Sequence, residues 1–321
     1  MWFLHIILNL FLHMKVALCF IISYKQILNK EKIWREWIEQ NKDIINVYFY
    51  YKEFGKIKSD WIRAHAIPPS YIFDTSYYHV IPAYTSIMNF ALSHDPNNTW
   101  FCMLTDSCCP IISPSNFRRL FYTHYNKSIM SWKPAWWNVD FHKRANLKQL
   151  SPELRLANDP WFILKRENVL HILNFVTKQP QVTKIICDGG LANESLFAII
   201  LHGYKQLEPG GPVLSQVTHI TDWNRMASPT SPHLFKDANE MDLLFLDTEL
   251  QKNKCAVFVR KIAPEFPDTV LRHYIYNVNH GSNQPTWKPL VFIYNELMVD
   301  IKRFAPLMFL LCIGYMIFVY M

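Results

Sequence analysis

The stretch Lys15-Val-Ala-Leu-Cys-Phe-Ile-Ile-Ser23 decides the architecture, because its apolar run admits two incompatible readings. Joined to the apolar residues 1–14, it would belong to a membrane-inserting signal anchor. Taken alone, it has the length and unbroken hydrophobicity of a strand buried on both faces of a parallel sheet. The residues C-terminal to it select the strand. Residues 29–41 place Ile33, Trp34, Trp37 and Ile38 on one helical face, with Asn29 as the expected N-cap. Residues 45–51 then read as a second strand, completing a β-α-β unit. Residues 1–14 are left as an apolar N-terminal extension.

The same alternation continues outward. A helix is expected over 84–93, a turn at Asp95-Pro-Asn-Asn98, a strand over 100–105, a helix over 114–125 opened by Pro114, and a strand over 128–132. Residues 133–159 are Trp-rich and irregular. Strands at 161–164, 216–220 and 255–259 and helices at 167–178, 193–205 and 239–251 complete the core, with a Gly/Pro loop at 207–212. No repeat or long linker interrupts this pattern. The expectation is one α/β domain over 15–263, with a mixed, mostly parallel sheet, then a peripheral segment over 264–303. Residues 304–321 are 18 residues without a charge, about 27 Å as a helix against a bilayer core of roughly 30 Å. They are expected to form a C-terminal transmembrane helix. Lys302 and Arg303 in front of it would put the domain on the cytoplasmic side; a luminal orientation through the N-terminal apolar run is the alternative.

Composition narrows the function classes. Half of the 321 residues are hydrophobic, with 11 Trp, 16 Tyr and 22 Phe against 8 Gly, which fits a globular α/β chain and excludes disorder. The net charge of +7 suits an anionic substrate or a membrane surface. It is not gathered into a zinc finger or a basic helical stripe, so nucleic acid is not an expected partner. The 7 cysteines read as buried thiols, not a disulfide framework, which implies a reducing compartment. A sequon at Asn193 leans the same way, because a glycan there would crowd Glu194.

Several common chemistries are absent. There is no G-x-G-x-x-G or Walker loop for phosphates, no G-x-S-x-G elbow, no H-E-x-x-H helix and no D-x-D pair. Glu240-Met-Asp242 and Asp247-Thr-Glu249 come nearest to the last, but they fall on an amphipathic helix and read as a solvated face. The 13 histidines show no zinc-ligand spacing.

Four segments, in order, carry a positive signal: Asp95-Pro-Asn-Asn-Thr-Trp-Phe-Cys-Met-Leu-Thr-Asp-Ser-Cys-Cys-Pro110, Asn158-Asp-Pro-Trp-Phe-Ile-Leu-Lys-Arg166, Ala192-Asn-Glu-Ser-Leu-Phe197 and Val259-Arg-Lys-Ile262. Together they resemble the core-2/I-branching enzymes, the β-1,6-N-acetylglucosaminyltransferase-like glycosyltransferase family 14, and are similar to the versions carried by large DNA viruses. The resemblance implies a GT-A-like, Rossmann-like fold. It implies a UDP-sugar donor such as UDP-GlcNAc, a glycan acceptor, inverting transfer and no metal or other cofactor.

The resemblance assigns the general base to Glu194, which suits a direct displacement in which one carboxylate takes the acceptor hydroxyl's proton. At a helix N-terminus the dipole would hold it ionised; a first-turn acid is also ordinary helix chemistry. The family's preceding Asp is Asn193 here. Lys261, with Arg260 beside it, is implied as the cation that neutralises the leaving diphosphate; a charged pair ending a strand is the bland alternative. On a strand the two would point to opposite faces, and Lys261 is the preferred one. Trp223, Lys143 and Arg144 are implied on the acceptor side. Asp106, at a strand's C-terminal end, would accept a sugar hydroxyl. Trp132, Trp136 and Trp137 admit both packing and substrate binding. The family's acidic residue after the second strand is replaced near Tyr51. The competing readings are a xylosyltransferase of the same family and a catalytically silent, membrane-tethered carbohydrate-binding relative.

Overall fold

Lys15–Ile21 is a strand (β1), and its five interior residues are all buried. The computed structural model describes residues 13–138, 144–228 and 231–277. The expected tail at 304–321, most of the extension at 1–14, and Lys143 lie outside the described residues. Among the described residues no helix is long and apolar enough to cross a membrane.

The unit His13–His280 is built on β1. After it come α1 (Glu31–Glu39), β2 (Ile45–Tyr50), α2 (Asp60–Ala64), α3 (Ile81–His94), β3 (Asn98–Thr105), β4 (Cys109–Pro110), α4 (Pro114–His124) and β5 (Ser128–Ile129). Next are β6 (Trp132–Pro134), β7 (Leu156–Asn158), β8 (Ile163–Lys165), α5 (Arg166–Lys178), α6 (Pro180–Cys187) and α7 (Leu196–Gly203). The last are β9 (Val213–Leu214), β10 (His219–Thr221), α8 (Glu240–Lys252), β11 (Phe258–Arg260) and α9 (Asp268–Tyr276).

Six strands form the main sheet in the order β2-β1-β3-β8-β5-β9. β1 lies parallel to both β2 and β3, β8 is antiparallel to β3 and β5, and β9 is parallel to β5. The period-two alternation of a strand divides the core into two layers. Val16, Leu18 and Phe20 face one layer with α1, α4, α8 and α9, whereas Ala17 and Cys19 face the other with α3, α5 and α7. A second sheet, β10-β11-β4, joins the first layer through Phe258. Its β4 comes after β3 and a short turn, so the C-terminal ends of β3 and β11 meet.

Several elements differ from the sequence expectation. Asn29 does not cap α1; Lys30 occupies the N-cap with a φ of 59°, and the Asn29 side chain donates to the Ile262 carbonyl at 2.8 Å. The strand expected over 128–132 divides, because β5 pairs in the main sheet and β6 pairs with β7 in a separate two-stranded ribbon. That ribbon orders both ends of the stretch read as irregular. The helix expected over 193–205 starts only at Leu196, after a 3-10 turn at Ala192–Glu194. Segment 264–303 is not peripheral throughout, since α9 buries Leu271, Tyr274 and Ile275 in the core. Asp242 is not on a solvated face: it is 1% exposed.

Candidate active site

The turn at Ala192–Glu194 is entered through Leu191, whose φ is 56°. It is clasped from β7: Asn158 Nδ2 donates to the Asn193 carbonyl at 2.9 Å, and Asn158 Oδ1 accepts the Ala198 amide at 3.1 Å. One buried amide therefore fixes both the turn and the start of α7. Asn193 is itself buried, so its sequon is inaccessible in the folded chain.

The carboxylate of Glu194 forms an ion pair with Arg144 through Oε2, and both side chains are 17% exposed. Among the described residues no hydrogen bond engages Oε1. Arg144 is delivered by backbone contact. A Cβ on Gly189 would lie 1.8 Å from the Arg144 carbonyl oxygen, so only glycine permits this approach. Burial pushes the Glu194 carboxyl above the usual carboxylate range; Arg144 opposes the shift, Asp159 adds to it, and Arg260 also opposes it. This corrects the expectation that a helix dipole dominates: Glu194 precedes α7, and desolvation outweighs the favourable charges.

Arg260 is 6% exposed and ends β11. Its Nη1 donates to Thr105 Oγ1 at 2.6 Å, and its guanidinium lies 3.7 Å from the centroid of the Trp161 ring. Its Nε has no hydrogen-bond partner, and among the described residues it has no carboxylate in an ion pair. Lys261 is next in the chain, with Nζ donating to Ser231 Oγ at 2.8 Å. Burial and the neighbouring Arg260 lower the Lys261 pKa, while the charge of Asp106 opposes this. A buried guanidinium without a counter-ion is costly, and Arg260 next to the partly buried Lys261 forms a site suited to an anion. Tyr84, buried with its hydroxyl donating to the Pro160 carbonyl at 2.9 Å, feels the charges of both Arg260 and Glu194. Glu194 and Arg260 thus lie within reach of each other's charge, whereas Lys261 couples to Arg260 and Asp106.

Asp106 lies at the end of β3, where its Oδ2 accepts the Ser23 amide at 3.1 Å and ties it to the end of β1. Trp223 is 43% exposed on the loop after β10. That loop is anchored by two buried carboxylates: Asp222 accepts from Arg225 Nε at 2.6 Å, and Asp242 pairs with Arg225 Nη1 at 2.8 Å and His233 Nε2 at 2.9 Å. His233 then returns to the site, its amide donating to the Asp222 carbonyl at 2.9 Å and its carbonyl accepting the Lys261 amide at 3.4 Å. Asn158, Asp159, Trp161, Tyr84, Gly189 and the Asp222–Asp242 network carry no assigned role in the sequence reading. Asn158 and Trp161 nevertheless sit in one of the four family-like segments, and Gly189-Gly190 is a visible pair in a glycine-poor chain. Among the described residues no three His, Cys, Asp or Glu side chains converge as metal ligands would.

Comparison with known proteins adds a family. The model of the family described as "Core-2/I-Branching enzyme" matches residues 19–247. No curated protein sequence matches the chain. Among solved structures, the crystal structure of 4-diphosphocytidyl-2C-methyl-D-erythritolsynthase from Anaerococcus prevotii DSM 20548 is similar at a TM-score of 0.37 and 9% identity, over 76% of this chain and 99% of that one. That likeness is too loose to carry an argument.

Proposed function

The chain belongs to the core-2/I-branching enzyme family, whose members are glycosyltransferases acting on a nucleotide-sugar donor and a glycan acceptor, and from this premise we propose an inverting, metal-independent transfer with Glu194 as its base. The observation that carries the proposal is the ion pair that holds Glu194, a largely enclosed carboxylate, on Arg144, together with Arg260, a buried guanidinium with no carboxylate in an ion pair among the described residues, whose charge reaches Glu194.

The donor is a UDP-sugar, UDP-GlcNAc in the first instance. Its diphosphate would supply the anion that Arg260 and Lys261 lack. Negative charge grows on the leaving phosphate as the glycosidic bond breaks, and fixed cations in a partly buried site stabilise that charge more than water does. The acceptor hydroxyl attacks the anomeric carbon from the opposite face while Glu194 takes its proton. Arg144 holds Oε2, leaving Oε1 as the basic atom. The raised pKa of Glu194 makes it a stronger base than an exposed carboxylate, and Arg144 favours the ionised form that a base requires. Asp106 and Trp223 would contact sugar from the ends of β3 and β10. The tail at 304–321 would tether the enzyme to a membrane.

The test is transfer from UDP-GlcNAc and from UDP-xylose in the presence of EDTA, with the anomeric configuration of the product read by proton NMR. Full activity in EDTA with an inverted product supports the proposal, and preference for UDP-xylose would reassign the donor. Abolition by EDTA would remove the metal-free mechanism, and a retained configuration would remove the single displacement.

A further inference from the structure

Trp136 is 60% exposed, although the indole next to it, Trp137, is buried. It lies just beyond β6, whose pairing with β7 aligns Trp132 with Asn158, the residue that clasps the Glu194 turn. Ala135 extends the ribbon by donating to the Arg155 carbonyl at 2.8 Å. Trp136 is therefore mounted on the same short ribbon that fixes the base. Three contacts tie its ring to the site: Lys133 Nζ lies 4.6 Å from its centroid, Arg144 lies 5.3 Å from it, and Trp137 meets it edge-on at 5.0 Å. Arg144 closes the circuit through its ion pair with Glu194.

A second aromatic pair approaches the turn from another element. The Leu191 amide donates to the Tyr78 carbonyl at 2.8 Å. Tyr77 and Tyr78 are 60% and 47% exposed, with their rings 5.2 Å apart. The exposed Trp136 ring lies one residue, Arg144, away from the mostly enclosed Glu194 carboxylate. An exposed indole with cations at 4.6 and 5.3 Å from its centroid suits an occupant with an apolar face and a polar rim. A pyranose has both: its C–H face stacks on indole, and its hydroxyls accept hydrogen bonds from cations such as Lys133 and Arg144.

We infer that Trp136 forms an outer acceptor subsite that stacks a sugar beyond the one reacting at Glu194, so the enzyme takes a glycan of at least two residues in preference to a monosaccharide. This rests on the glycosyl-transfer reading above. It adds a specificity determinant on the acceptor side, separate from Trp223 on the loop after β10.

The experiment uses p-nitrophenyl β-galactoside and its β-linked di- and trisaccharide homologues as probes, with the full chain, UDP and ligand-observed NMR to measure binding. UDP-GlcNAc hydrolysis in the absence of acceptor is monitored separately. In the wild type the longer probes should bind about five- to tenfold more tightly than the monosaccharide, a factor typical of one aromatic contact. Trp136→Ala should abolish that gain and Trp136→Phe should keep part of it, with thermal unfolding showing that both variants fold as the wild type does. Failure of donor hydrolysis in the wild type would count against the transferase reading, while the binding series would still decide the subsite. Equal binding of all three probes, or an undiminished length dependence in Trp136→Ala, would overturn the inference.

Discussion

Glu194 is held between two opposing influences. Burial favours its neutral form, whereas Arg144 and Arg260 favour the ionised form a base requires. Removing Arg144 should therefore raise the Glu194 pKa further. In Arg144→Met the acidic limb of the pH–rate profile is expected to move to higher pH, with activity recovering as the buffer is made more alkaline; an unmoved limb would separate Arg144 from the base. Neither the pairing nor its sign is legible in the sequence. Fifty positions separate the two residues, and a helix start at 193 suggests dipole stabilisation where the folded chain has a 3-10 turn and desolvation. What sequence reading does supply is the candidate for the base, through the family-like segment Ala192-Asn-Glu-Ser-Leu-Phe197. Arg260 shows the same limit. Adjacent cations at a strand end are visible in the chain, but the burial that leaves Arg260 without a counter-ion is not.

At the scale of elements, the proposed site is built from short pieces held by single contacts. Gly189 is one of these. Gly189→Ala would drive a methyl group into the Arg144 carbonyl, with an expected cost of about 1–3 kcal/mol from overpacking. It should reduce activity beyond what that loss of stability explains, as measured by turnover at a temperature where the variant is fully folded. The loop after β10 is another. Asp242 is buried and holds Arg225 and His233, seventeen and nine positions away in sequence. Asp242→Asn would weaken both contacts and loosen the segment that receives Lys261. Its expected signature is a raised KM for the donor with a smaller change in kcat, and an unchanged KM would contradict the link. The elements themselves differ in legibility. The unbroken run of β1 and the amphipathic pattern of α1 are long enough for periodicity to speak. β5 and β6 have two and three residues, too few to show which sheet each joins, so the ribbon that carries Asn158 and Trp136 is hidden inside an apparently irregular stretch.

Across the molecule, the site lies where the main sheet meets the smaller β10-β11-β4 sheet, and α1 holds the two together. Trp34 is fully buried, its Nε1 donates to the Cys108 carbonyl at 2.9 Å, and its ring lies 4.8 Å from Phe20 of β1 and 5.5 Å from Phe258 of β11. Trp34→Ala should cost about 3–5 kcal/mol, visible as a lower denaturant midpoint with an unchanged m-value. The alternating α/β order and the family resemblance make this architecture readable in advance, whereas the seam itself depends on contacts between distant segments. The central claim is that a carboxylate at this seam acts as a base and not as a structural ion. The most direct test is Glu194→Gln, assayed for transfer from UDP-GlcNAc beside thermal unfolding. Because burial raises the folded pKa, the stability that Glu194 contributes is present below its unfolded pKa and lost as pH rises through the folded value. The glutamine variant should therefore unfold no earlier than the wild type at neutral pH, yet transfer should fall by about 10²- to 10⁴-fold. A folded Glu194→Gln enzyme with undiminished transfer would contradict the account.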